Sequence, residues 1–264
     1  MSNPGFIGMF DSGMGGLSVL QEVRAILGGE DLLYYADSAY CPYGQRTSAE
    51  IIARSALITG ALVQRGAKLI VVACNTATSV ALADLRASTG VPIVGMVPAV
   101  KPAAATSHGG HIGILATPRT ASGDMLADLI AAHASDVAVT TVAAPGLADL
   151  VEAGQTSGGH VERVLRPLLD PLVTQGIDTL VLGCTHYPFL RTTIAAMLGP
   201  DVEIVDSGAP VARRTHSVLQ ELNLLRQSSD GGALRMLTSG DPSMVAGVAE
   251  RLLGERFAVE RLAL

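Results

Sequence analysis

The chain has 264 residues, 48% of them hydrophobic and 16% charged, with a mean hydropathy of +0.40; disordered and coiled-coil chains are excluded, because both need a polar or charged majority. Apolar runs such as Leu69 to Cys74 fall far short of the roughly 20 residues of a spanning helix, so no membrane segment is expected. The net charge of −6, a pI near 5.5 and the lack of any Lys/Arg block leave no electrostatic footprint for nucleic acid. In chain order, strands are predicted over 6–10 and 31–36, a helix over 48–65, a strand over 68–73, a helix over 77–88, and strands over 91–96, 111–116 and 136–143. A helix over 160–175, strands over 178–183 and 202–206, and a helix over 209–226 complete the pattern. Short apolar runs alternating with helical segments predict an α/β fold with mainly parallel sheets flanked by helices.

Met1-Ser2-Asn3-Pro4 carries neither the basic nor the apolar stretch of a secretory leader. Three cysteines in this length are sparse and odd in number, which fits a reducing compartment rather than a disulfide framework. A cytoplasmic protein is expected.

The sequence repeats itself weakly. Residues 66–76, from Gly66 to Thr76, align without gaps on residues 176–186, from Gly176 to His186. Ile7 to Ser12 resembles Ile112 to Thr117, and Pro92 to Val94 lies near Glu203 to Val205 at a similar shift. Three alignments in one order predict two lobes of the same topology, related by an approximate two-fold. The segment from Val97 to Gly110, with Pro98, Pro102 and the Ser107-His108-Gly109-Gly110 run, is a modest boundary between them.

Ligands of parallel sheets bind beyond the carboxyl ends of the strands. Four polar loops fall there: Asp11-Ser12-Gly13, Cys74-Asn75-Thr76, Thr117, and Cys184-Thr185-His186. With the repeat, Cys74 and Cys184 are expected to face each other across a cleft between the lobes, an arrangement that suits racemisation, where one group removes a proton and another returns one to the opposite face. Either cysteine alone reads first as a small core residue; the matched pair after apolar strands is what favours chemistry. Cys184-x-His186 is also a metal-ligand pair, although no C-x-x-C accompanies it and no metal is expected. His186 alone reads as a satisfied buried histidine, but its place two residues after Cys184 suits it to relay protons or to act on that thiol. The glycine-rich turn from Asp11 to Leu17 opens a helix whose amides suit a carboxylate or phosphate; only part of a dinucleotide fingerprint is present, since Ser18 stands at the third glycine position. Glu152 reads by default as a solvated helix-end carboxylate, and Cys41 as a loop residue near the cleft without a catalytic role.

At these residues the chain resembles the glutamate racemases of the aspartate/glutamate racemase family. The matching blocks are Phe10-Asp11-Ser12-Gly13-x-Gly15-Gly16-Leu17, Pro42-Tyr43-Gly44, Val72 to Ala77, Leu182-Gly183-Cys184-Thr185-His186-Tyr187-Pro188 and Val205-Asp206-Ser207-Gly208. The resemblance implies two α/β lobes, the first of residues 1–97 with 208–264 and the second of 98–207. It implies cofactor-independent interconversion of L- and D-glutamate for peptidoglycan synthesis, and hence for cell shape, with Cys74 and Cys184 as the acid/base pair. Asp11, His186 and Glu152 are implied as assisting groups. Asp11, Ser12, Tyr43, Gly44, Asn75, Thr76, Thr117, Thr185 and His186 are implied to line the substrate site. Family members form differently arranged dimers, so a homodimer is expected. Met96-Val97-Pro98 departs from the form that some members carry, which leaves regulation and dimer contacts open. An aspartate or hydantoin racemase, a non-catalytic protein binding a dicarboxylate or nucleotide, and an interaction protein remain as alternatives.

Overall fold

The computed structural model describes residues 5–227 and 231–264; Met1 to Pro4, read above for a leader, lie outside them. In chain order the elements are β1 (Phe6–Asp11), α1 (Leu17–Ile26), β2 (Leu32–Ala36), α2 (Ser48–Gln64), β3 (Ala67–Val72), α3 (Asn75–Ser88) and β4 (Ile93–Val94). There follow α4 (Val100–Thr106), β5 (His111–Ala116), α5 (Pro118–Ala121), α6 (Asp124–His133), β6 (Ala138–Ala143), α7 (Leu147–Glu152), α8 (Gly159–Thr174), β7 (Thr179–Gly183), α9 (Arg191–Leu198) and β8 (Glu203–Val205). The remainder comprises α10 (Gly208–Glu221), β9 (Leu234–Thr238), α11 (Pro242–Leu253) and β10 (Val259–Arg261). Among the described residues no helix is long and apolar enough to cross a membrane.

The chain divides into two compact units, one of Met1–Met96 with Gly208–Leu264 and the other of Val97–Ser207. The first holds a six-stranded sheet of order β10-β9-β2-β1-β3-β4, the second a four-stranded sheet of order β6-β5-β7-β8, and all the pairings are parallel. The order β2-β1-β3-β4 recurs as β6-β5-β7-β8, so the sequence repeat is a repeat of topology. Gly8 on β1 and Gly113 on β5 occupy the same place in it. A Cβ on Gly8 would come within 2.8 Å of Ile70 and 3.3 Å of Leu62, and one on Gly113 within 2.8 Å of Ile177 and 3.2 Å of Leu172. Each glycine thus makes room for neighbouring side chains, those of β3 and α2 at Gly8 and those of α8 and its connection at Gly113.

Strand β3 is buried at all its positions, as is β7. A parallel strand covered on both faces is a near-continuous apolar run, broken here only by Lys68 and Thr179 near the strand starts, which is why these two are plain in the sequence. Strand β6 lies at a sheet edge and is half exposed. Three predicted elements change. The 91–96 strand shrinks to Ile93–Val94, since Met96 N leaves the sheet to donate to Thr78 Oγ1, 3.1 Å away. The 209–226 helix ends at Glu221, where Asn223 takes a φ of +54° and Leu224 N closes back on Leu219 O at 2.8 Å. Helix α3 begins at Asn75 rather than 77, because Cys74 caps it.

What draws the chain away after α10 is a buried ion pair. Lys68 Nζ on β3 lies 2.6 Å from Glu30 Oε2 and donates to Leu224 O at 2.8 Å, while Arg226 N donates to Glu30 Oε1 at 2.7 Å. Both side chains are almost fully buried. Lys68→Met should therefore lower unfolding stability by about 3–5 kcal/mol in urea titrations, because it strands the Glu30 carboxylate without a counter-charge; adding Glu30→Gln should recover part of the loss.

Candidate functional site

Because the strands of each sheet run in one direction, their carboxyl ends lie along one edge. In the first unit that edge carries Asp11 at the end of β1 with Ser12 after it, Asp37 after β2 and Cys74 after β3. In the second it carries Thr117 after β5 and Cys184 after β7.

Cys74 is the N-cap of α3, and its sulfur accepts from Ala77 N at 3.5 Å. A helix N-terminus offers unsatisfied N–H groups and positive potential, both favourable to negative charge on that sulfur. On its other side the thiol donates to Ser12 Oγ at 4.0 Å, and Ser12 Oγ donates in turn to Asp11 Oδ1 at 3.4 Å. Asp11, Ser12, Asn75 and Thr76 are all buried. Among the described residues, neither the amide oxygen nor the amide nitrogen of Asn75 has a hydrogen-bond partner. Two orphaned polar atoms on a buried side chain beside a capped thiol are what a polar ligand would satisfy. One expectation is corrected here. The amides of the Asp11 to Leu17 turn are not all available to a ligand, since Gly16 N donates to Asp11 Oδ2 at 2.7 Å. The protein's own carboxylate occupies the start of α1.

Tyr43 and Gly44 lie in a short 3-10 turn held from beneath by a buried cluster. Tyr43 Oη donates to Asp37 Oδ2 at 2.6 Å, and Arg54 of α2 binds the same carboxylate twice, at 3.0 and 2.7 Å. The third guanidinium nitrogen donates to Leu264 O at 2.6 Å, and the guanidinium stacks 3.9 Å over the Tyr40 ring. Burial, with the Asp37 carboxylate beside it, pushes the Tyr43 phenol far above its ordinary value, so it stays a neutral donor. Asp37 and Arg54 went unread in the sequence. The signals were an aspartate directly after a buried strand, as at Asp11, and an arginine on the apolar face of an amphipathic helix.

In the second unit the Cys184 sulfur lies 3.6 Å from His186 Nδ1, and His186 Nε2 lies 2.6 Å from Glu152 Oε1 at the end of α7. An ionised Glu152 holds the proton on Nε2, which leaves Nδ1 to accept from a thiol or, when protonated, to donate to a thiolate. Glu152, unremarkable in sequence, is thus brought onto His186. Thr185 is buried, and Thr117 caps α5, accepting from Thr120 N at 3.2 Å. Tyr187 Oη donates to Ala144 O at 3.2 Å, and burial, with Cys184 adding to it, holds this phenol well above its ordinary value.

Comparison with known proteins gives consistent likenesses. The family profile described as Asp/Glu/Hydantoin racemase matches residues 9–215. A glutamate racemase of Herpetosiphon aurantiacus is 48% identical over 246 residues, covering 93% of this chain and 97% of that protein. The crystal structure of a glutamate racemase isoform from Bacillus anthracis superposes with a TM-score of 0.92 at 33% identity, covering 99% of this chain and 98% of its own. That of the Escherichia coli glutamate racemase, in complex with L-glutamate and an activator, gives 0.87 at 34% identity, with 98% and 99% covered.

Arg54→Met leaves Asp37 as an uncompensated buried charge and should free the turn above it. Hydrogen exchange read by mass spectrometry should show faster exchange across residues 37–46, by about tenfold or more, with β5 unchanged.

Proposed function

The chain belongs to the Asp/Glu/Hydantoin racemase family, and we propose that it interconverts L- and D-glutamate with Cys74 and Cys184 as the two acid/base groups. It is a glutamate racemase, an isomerase, on the strength of its likeness to enzymes of that name over nearly the whole chain. The observation that carries the two-thiol reading is that both cysteines follow equivalent strands of the repeated topology, each with its own proton-handling partners.

The chemistry follows from what an amino acid resists. Its α-hydrogen is very weakly acidic, so a base must stand against it and the developing charge must meet fixed dipoles. From L-glutamate, the Cys184 thiolate removes the α-proton and the Cys74 thiol returns one to the opposite face; from D-glutamate the roles exchange. Each turnover leaves the thiols with swapped protonation. His186 and Glu152 reset the Cys184 proton, and Ser12 with Asp11 resets that of Cys74. An ordinary thiol, with a pKa of about 8.5, is a few per cent ionised at neutrality; the Ala77 amide at Cys74 and the imidazole at Cys184 supply what the thiolate needs. Asn75, with two unused polar atoms, is the natural partner for the substrate's α-carboxylate and ammonium, and Thr76, Thr117, Thr185 and the Tyr43-Gly44 turn complete the contacts. The reading extends to D-glutamate supply for peptidoglycan, a cytoplasmic location, which the sparse cysteines support, and a homodimer.

Proton NMR of L-glutamate in D₂O, followed beside circular dichroism, tests the activity. The α-proton signal should vanish while optical activity decays. Retention of both would exclude glutamate, and the same test on aspartate would then decide between another substrate and a binding protein. Cys74→Ala and Cys184→Ala should each reduce racemisation by about 10³-fold or more, and Glu152→Gln by about 10–100-fold. A variant lacking either thiol that still racemises at the native rate would remove the two-thiol assignment.

A further inference from the structure

Cys41 has no part in the mechanism above, yet its sulfur lies 4.0 Å from Ser12 Oγ, as far from that oxygen as the sulfur of Cys74. A serine hydroxyl has one proton to give and two lone pairs to fill. At Ser12 the proton goes to Asp11 Oδ1, 3.4 Å away, and the two thiols donate to the two lone pairs. The inventory of this buried hydroxyl is full, and Cys41 fills a third of it.

We infer that Cys41 is a positioning residue for the Cys74 half of the site, acting through Ser12. With its S–H seated on one lone pair, Cys41 closes one of the hydroxyl's three positions to the O–H, leaving it only those facing Asp11 and Cys74. The other lone pair is then reserved for Cys74 as a thiol, and the O–H, swung from Asp11, for Cys74 as a thiolate. Donation into the oxygen also polarises the O–H and makes it a better donor. Without Cys41 the hydroxyl gains an idle lone pair and a freedom of rotation that the Cys74 proton transfer does not tolerate. Within its own unit, the ionisable groups around Cys74 include Asp11, reached through Ser12, together with Tyr43 and Cys41, and the α3 N-terminus supplies the positive end.

The kinetic consequence rests on the racemase reading; the hydroxyl inventory does not. The chain has three cysteines, so a change at 41 combined with Cys184→Ala leaves Cys74 as the single thiol. Its alkylation by iodoacetamide, followed over pH with circular dichroism checking the fold, should be about threefold to fivefold slower in C41A/C184A than in C41S/C184A, which keeps a donor at 41. In otherwise native enzyme, C41A should lower kcat about tenfold with KM within twofold, C41S should restore most of it, and C41A should add nothing in an S12A background. Equal alkylation of the two double variants, or additive effects of S12A and C41A, would overturn the inference. If the native chain does not racemise glutamate, the proposed function fails on its own, and the alkylation comparison still decides the role of Cys41.

Discussion

Parallel pairing is the constraint from which the rest follows. Every ladder in both sheets runs the same way, so each strand must be returned to its starting edge by a crossover, and the residue that leaves each strand always leaves on the same side. Asp11, Asp37 and Cys74 come from separate stretches of sequence, yet the registers of β1 with β2 and of β1 with β3 bring them to neighbouring strand ends. A polar site is thereby concentrated above an apolar layer formed by Phe10, Tyr35, Val72 and Ile70, and the apolar layer supplies the low-dielectric floor that makes each hydrogen bond at the edge count.

The two thiols share a position in the topology but not an environment. After β3 the chain turns directly into α3, so Cys74 meets backbone amides and a hydroxyl. After β7 it makes a 3-10 turn at Tyr187–Leu190 before α9, and that detour brings His186 back over Cys184. A local difference in backbone path, only a few residues long, therefore replaces a dipole with a titratable ring. Glu152 and Asp11 stand in corresponding places, each one group removed from its sulfur, through an imidazole in one unit and a hydroxyl in the other.

The sequence made the central strands legible for a definite reason: β1, β3, β5 and β7 are covered on both faces and so read as near-continuous apolar runs, their few polar residues lying at or next to the strand ends. The outer strands β9 and β10 escaped because Leu234 to Thr238 is short and interrupted by Arg235, while Val259 to Arg261 is largely exposed. The thiols and their immediate neighbours were legible from the blocks that follow the strands. The Asp37–Arg54–Tyr43 cluster was not, because it joins a strand end, a helix face and a 3-10 turn whose proximity only the packed structure sets. Glu152 was named through family likeness alone, and its contact with His186 depends on how α7 packs against the 3-10 turn. The three-way sharing of Ser12 was invisible for the same reason.

The first sheet is not continuous in the chain. Strand β2 pairs on one side with β1, whose residues lie 25 positions earlier, and on the other with β9, some 200 positions later, with the whole of the second unit made in between. On a ribosome, the second unit emerges complete, with all four of its strands, while the first still shows a bare hydrogen-bonding edge along Leu32 to Ala36. That edge is flanked by buried apolar residues and has no partner until the last tenth or so of the chain is translated, the state in which strand edges join to other molecules. The inserted unit thus becomes a fixed delay in the biogenesis of its host, and the vulnerability of a nascent chain concentrates on one strand rather than on the site of chemistry.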